Sequence, residues 1–159
     1  MQRKLLTPSN ALTKLQDLCA RSEQCSYEVL VKLRGWGIDE LASKKILALL
    51  KRERYVDDRR FAEAFVRDKV MFNRWGRVKI KLALIQKHID HDTITGALGE
   101  IDADEYKTAI VATLRTKART MLDVSSYESR TKLLKYCVSR GFEVNETLSV
   151  LKDTQLWAH

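Results

Sequence analysis

Two adjacent aspartates, Asp57-Asp58, and two histidines three residues apart, His88 and His91, are the residues here whose types could do chemistry. An acid pair can hold a divalent metal or share general acid and base roles. The surroundings of Asp57-Asp58 point elsewhere. Tyr55 closes one segment, the acids follow, and then Phe61 and Phe65 recur one turn apart with Ala62 and Val66 beside them. Acceptors first and apolar spacing after is a helix start. There the unbonded N–H groups and the helix dipole favour carboxylates. The histidines straddle a helix junction with no cysteine near in sequence, which argues against zinc. His88 instead falls in a turn, and the remaining histidine, His159, is the last residue. No GxxxxGK[ST], GxGxxG or GxSxG is present. No catalytic residue, metal ligand or cofactor is expected, and the chain does not read as an enzyme.

The composition points to a binding protein. Lys and Arg number 29 against 21 Asp and Glu in 159 residues, a formal net charge of +8. That balance favours an anionic partner, nucleic acid above all. The basic residues are clustered. Arg67, Lys69, Arg74, Arg77, Lys79, Lys81 and Lys87 face only Asp68 between positions 67 and 87, with Trp75 in their midst. A second cluster is Lys44, Lys45, Lys51, Arg52 and Arg54, joined by Arg59 and Arg60. A basic run with an aromatic suits a nucleic-acid or acidic-protein surface; the plainer alternative is a solvated face whose long stems cover apolar surface. No apolar run approaches a membrane span, and the N-terminus lacks a signal-peptide core. The three cysteines, Cys19, Cys25 and Cys137, form no CxxC and read as reduced thiols, so the chain is expected to be cytoplasmic.

The elements that carry these residues are helical throughout. There is one proline, there are few glycines, and no β-branched runs are bounded by turns. Thr7-Pro8 opens a first helix. Ser26 is expected to cap a second, with Tyr27, Leu30 and Leu33 facing inward, ending at Gly35-Trp36-Gly37. Asp39 caps a third, carrying Leu41, Ile46, Leu47 and Leu50, and the fourth runs from Asp58 to about Arg74. The fifth follows Trp75-Gly76. Its main apolar face reads as Val78, Leu82, Ile85 and Ile89, with Ile80 and Leu84 on another side, as in a helix packed on two faces. Asp90 or Asp92 caps a sixth, and capping boxes at Asp102/Glu105 and Ser125/Glu128 open the seventh and eighth. Met121 extends the stripe of the seventh. The ninth runs from about Asn145 to Leu156, with Leu148 and Leu151 inside.

The helices fall into threes. The joints between middle and third helices, GWGIDE, KHIDHD and RGFEVN, place Ile38, Ile89 and Phe142 at intervals of 51 and 53 residues. The expected fold is all-α: three tandem three-helix repeats, at residues 7–54, 55–101 and 102–157, stacked into an elongated, curved array because no triplet buries enough apolar surface alone.

Residues Tyr55-Val56-Asp57-Asp58-Arg59-Arg60-Phe61-Ala62 resemble the motif of the RecX family, bacterial regulators of the RecA recombinase. The continuation through Trp75-Gly76, Ile80, Leu84 and Ile89 also fits, with Arg54 and His88 standing where the family usually has glycine. The resemblance implies a non-enzymatic protein that binds the RecA filament, lowers its ATPase, strand-exchange and coprotease activities, and so modulates recombinational repair and the SOS response. It also implies weak, non-specific binding of single- and double-stranded DNA, and no membrane partner. The chain is expected to act as a monomer. The candidate partner contacts are Arg59, Arg60, Arg67, Arg74, Arg77 and Lys81, then Lys44, Lys45 and Lys51. Tyr55, Asp57, Asp58, Phe61, Phe65, Ala62, Trp75 and Gly76 are expected to serve packing. The alternative is a helix-turn-helix-like transcription regulator acting without RecA. Against it, the third helices of the second and third units hold almost no basic residues with which to read bases.

Overall fold

A computed structural model describes residues 5–158 and is helical throughout, with no strand among them. Ten helices follow in order: α1 Pro8–Arg21, α2 Ser26–Gly35, α3 Glu40–Arg52, α4 Asp58–Met71, α5 Arg77–Gln86, α6 His91–Gly99, α7 Ala103–Ala118, α8 Tyr127–Ser139, α9 Val144–Leu151 and α10 Thr154–Trp157. They form three tandem triplets, α1–α3, α4–α6 and α7–α9. The accessible surface of 10422 Å² exceeds the about 8,200 Å² of a compact monomer of this mass, as an elongated stack requires. His159 lies outside the described residues.

Most helix starts follow from side-chain acceptors. Thr7, Asp39, Asp57, Asp90 and Asp102 each accept a backbone N–H of the following first turn. The repeat is written most plainly in backbone geometry. The chain turns left-handed at Gly37 (φ 78°), His88 (φ 57°) and Gly141 (φ 94°). After each, the next N–H returns to a carbonyl five residues back: Ile38 to Leu33, Ile89 to Leu84 and Phe142 to Cys137. This is the Schellman termination, used three times in one register, and it tucks Ile38, Ile89 and Phe142 into the core. Arg54 is left-handed as well (φ 61°), so both sites where the sequence departs from glycine hold a conformation that suits glycine.

The interior is divided unequally. Ala11, Leu15, Val29, Leu33, Ile38, Ile46, Leu50 and Val56 form a core within the first triplet. The second and third triplets share one continuous core, centred on Phe61, Val66, Ile80, Leu84, Ile110, Leu114, Leu133, Phe142 and Trp157. Cys25 leaves its own triplet and joins that second core.

Several expectations need correction. Ser26 does not cap α2; it is the first helical residue, because Asp58 of the next triplet accepts its N–H at 2.7 Å. Tyr27 does not face inward but is partly exposed, its ring stacked on His88. α5 is packed on one face, not two: Ile80 and Leu84 are fully buried, whereas Val78, Leu82 and Ile85 are half exposed. Both faces are equally apolar, so periodicity alone could not choose. The N–H of Val78 on the carbonyl of Gly141 (3.0 Å) and that of Gly76 on the carbonyl of Arg140 (2.9 Å) fix the helix's rotation. α4 stops at Met71, short of Arg74, and α7 at Ala118, leaving Met121 in the following turn. α8 is capped by Ser126 because Ser125 is turned toward Asp123. The last helix breaks after Leu151, where Asp153 caps α10 and delivers Trp157 to the core. Leu148 is partly exposed, and Thr147, Val150 and Leu151 carry the buried face of α9.

Two glycines give opposite forecasts. A Cβ on Gly76 would lie 2.2 Å from the backbone of Gly141, so Gly76→Ala should part the second and third triplets and cost more than about 2 kcal/mol in urea unfolding. A Cβ on Gly96, inside α6, meets nothing within 4 Å. Gly96→Ala should stabilise by up to about 1 kcal/mol in the same assay.

Candidate functional site

The acid pair holds the first triplet to the second. Asp57 accepts the Arg60 N–H at 3.0 Å and caps its own helix, α4. Asp58, one residue on, caps α2 across the seam. Arg60 crosses the same seam to Glu23 at 2.7 Å and also donates to the carbonyls of Arg54 and Tyr55. The Glu23 hydrogen bond raises the pKa of Arg60 further, so the guanidinium stays charged. Lys87 meets Glu28 at 2.6 Å, and Tyr27 stacks on His88 with ring centroids 4.2 Å apart. This seam is mostly polar, and Cys25 is its apolar pin.

The seam between the second and third triplets is built differently. Arg77 pairs with Glu143 at 2.7 Å and lies 3.9 Å over the Tyr106 ring. The Tyr106 hydroxyl donates to Glu143 and accepts the N–H of Arg77. Burial, and then that Glu143 contact, hold the hydroxyl far above the ordinary tyrosine range. Arg140 donates to the carbonyls of Asn73 and Arg74, and Arg74 reaches Thr116 at 3.1 Å.

The structure therefore divides the expected contact residues. Arg60, Arg74 and Arg77 make bonds within or across seams. Arg59 and Lys44 make exposed pairs one turn along, with Glu63 and Glu40, contacts of about 0.3–0.5 kcal/mol that a partner can replace. Arg67 is exposed but lines a cleft among Glu63, Glu100 and Glu105. Lys45, Lys51 and Lys81 are exposed with no carboxylate within 4 Å among the described residues. Phe61 is buried; Tyr55, Phe65 and Trp75 are partly buried at the edges of the cores. Trp75 has Lys69 at 4.7 Å and Lys79 at 4.4 Å over its ring.

What remains on the surface is a stripe. Val78, Leu82 and Ile85, at i, i+4 and i+7 of α5, are 51%, 57% and 49% exposed. Lys79 and Lys81 flank them, and α5 contains no acidic residue. Tyr27 and Val31, 51 residues before Val78 and Leu82, are exposed on the matching face of α2. The Tyr27–His88 stack sets the start of α2 against the end of α5, so the two stripes abut. Sequence reasoning assigned Tyr27, Val78, Leu82 and Ile85 to the interior and did not single out Val31. It missed Glu23, Glu28, Tyr106 and Glu143, whose only signal is charge or aromatic character opposite a partner 29 to 66 residues away.

Comparisons with known proteins agree with this geometry. Residues 57–98 match a family model described as the second three-helix domain of RecX. The regulatory protein RecX of Clostridium botulinum (strain Alaska E43) is 28% identical over 156 residues, covering 94% of this chain and 73% of the relative. That of Clostridium acetobutylicum is 30% identical over 130 residues, covering 79% and 60%. The chain thus spans about two thirds of the length of these relatives. A crystal structure of RecX from Lactobacillus salivarius superposes with a TM-score of 0.81 at 22% identity, covering 94% of this chain and 97% of that one.

The cysteines test the packing directly. Burial pushes the Cys137 thiol up to about 12 against the slight opposing pull of Arg140, and burial also raises Cys25 and Cys19. In native protein at pH 8, a thiol reagent should modify the partly exposed Cys19 first, with Cys25 and Cys137 reacting only on unfolding. The stability gained by keeping Cys137 a neutral thiol is complete below the ordinary value of 9.0. It falls as pH rises from there toward about 12, which urea titrations at pH 8 and pH 10 should show.

Proposed function

We propose that the chain is a member of the RecX family, whose proteins it resembles over most of its length, and a non-enzymatic regulator that docks on the RecA filament and lowers its ATPase, strand-exchange and coprotease activities. The observation that supports this reading is the α5 stripe. Three half-exposed apolar side chains between lysines, with no carboxylate on the helix, fit a partner surface that is itself apolar and acidic. Lys81 is the central cation. Lys45, Lys51, Lys44, Arg59 and Arg67 form an outer set that adds long-range attraction. Arg60, Arg74 and Arg77 serve chiefly to hold the triplets in the row that presents the stripe. Units bounded at 54/55 and 101/102, one copy of the chain per site, and a cytoplasmic setting complete the proposal.

The test is RecA ATP hydrolysis on single-stranded DNA. Wild-type protein should inhibit at a near-stoichiometric ratio to RecA. Leu82→Asp alters an exposed side chain, so it should keep the fold by circular dichroism and weaken inhibition about tenfold or more, the range of a central interface residue. Lys81→Glu should weaken it similarly and more strongly at low salt. Full inhibition by Leu82→Asp would remove the stripe from the mechanism, and no inhibition by wild type would remove RecA.

A further inference from the structure

A groove of about 350 Å³ opens where the α4–α5 connection meets α7 and α8. Phe72 stands on its rim, 77% exposed, immediately after the last turn of α4. Tyr136 lines the groove with its ring partly buried and the Lys117 amine 5.4 Å above it. Arg74 and Arg140 are also in the lining. Arg59, Arg60 and Arg77 are the arginines that meet carboxylates within 4 Å among the described residues. Arg74 and Arg140, like the other arginines, do not: their hydrogen bonds go to Thr116 and to the carbonyls of Asn73 and Arg74, acceptors that carry no charge. Among the described residues no acid lines the groove. Asp104 and Glu105 lie in the adjoining groove beyond Met71 and Arg74.

We propose that this groove binds single-stranded nucleic acid, with a base stacked on Phe72 and the neighbouring phosphates held by Arg74, Arg140 and Lys117. Two observations select this occupant. An exposed phenylalanine gains nothing from water, yet it offers a base a flat π-face of the kind single-strand binders use whatever the sequence. Two guanidiniums without carboxylates, fixed by hydrogen bonds within the protein, form a ready site for phosphate oxygens. Arg74 is left-handed (φ 53°), which sets its Cα direction independently of the helix before it. The groove lies at the second seam, away from the first triplet, and its residues are not those of the α5 stripe. The proposal rests on the regulator reading only in supposing that the partner filament carries a single strand.

The experiment is fluorescence anisotropy with a labelled oligothymidylate of about 15 nucleotides and no RecA present. Wild type should bind. Phe72→Ala should lose roughly 5- to 100-fold in affinity, the cost of one stacked base, and Phe72→Tyr should restore most of it. Against an oligonucleotide with abasic sites throughout, Phe72→Ala should bind as wild type does. Arg74→Gly removes one phosphate contact and relieves the left-handed backbone, so the slope of log K against log salt should flatten by about 0.7. Arg21→Gln, at the exposed end of α1 in the first triplet, should change little. No binding by wild type, an unchanged affinity in Phe72→Ala, or a loss as large with Arg21→Gln would overturn the proposal. So would Phe72-dependent binding of an acidic polypeptide in place of the oligonucleotide. Phe72-dependent binding by a protein that fails to inhibit RecA would defeat the regulator reading and leave this site standing. Inhibition with no effect of Phe72 on the oligonucleotide would do the reverse.

Discussion

The array depends on how its middle helices begin. An α-helix starts with backbone N–H groups that have no partner of their own, and leaving one buried and unbonded costs about 1–3 kcal/mol. Neither α2 nor α5 has a hydroxyl or carboxylate on its cap residue; inside α2 the Glu28 carboxylate accepts only the N–H of Cys25, and at α5 the Tyr106 hydroxyl of the next triplet accepts that of Arg77. The cap residues are Cys25 and Gly76, and the acceptors come from the next triplet: the Asp58 carboxylate for Ser26, and the carbonyls of Arg140 and Gly141 for Gly76 and Val78. α8 has no such neighbour among the described residues and carries its own cap, Ser126. Each triplet thus completes the helix of the one before. That sets spacing and rotation together, because the bonds lie at a helix end and are directional.

Charge is then distributed by this constraint. A seam closed by helix termini needs its polar neighbours paired, and the chain uses Arg60, Arg77 and Lys87 against Glu23, Glu143 and Glu28 to do so. These pairs are at least partly exposed to solvent, so they orient more than they stabilise. The apolar work is unequal. The second and third triplets share a core, whereas the first has its own and reaches across with Cys25. The first seam is accordingly the softer one. With Arg60, Arg77 and Lys87 committed across the seams, the basic excess that remains is carried by the other cations, Arg74 and Arg140 of the second seam among them.

Much of the fold was legible because helix ends are local. Thr7-Pro8, Asp39 and Asp102 cap where their types indicate, and the joints containing Ile38, Ile89 and Phe142 recur at nearly constant spacing because each is one Schellman turn. His88 was identifiable as a turn residue from its place in that register, even though it is not glycine. What failed was the choice between alternatives of equal local merit. Val78-Leu82-Ile85 and Ile80-Leu84 are both apolar rows, and only a bond to Gly141, 63 residues away, decides which turns inward. Ser26 is a better cap than Cys25 by type, but Asp58 makes Ser26 helical from outside. For the same reason the arginines beside the acid pair suggested a partner surface. Their sequence position is that of a helix start, and at this helix start the neighbouring triplet was already the partner.

The α5 stripe and the Phe72 groove lie on either side of one short connection, residues 72–76. That connection is fixed at both ends: Trp75 packs between Lys69 and Lys79, and Gly76 sits against Gly141 with no room for a side chain. A surface suited to protein and a groove suited to a strand are therefore held at constant separation by a rigid joint. Neither is large, and each alone would bind weakly. On a target that offers protein and a single strand together, the first contact raises the effective concentration of the second, and the joint affinity exceeds either one. On bare strand or free protein that gain is absent. Selectivity for a nucleoprotein over its separate components then needs no specialised pocket, only two modest contacts and a seam that keeps them in register.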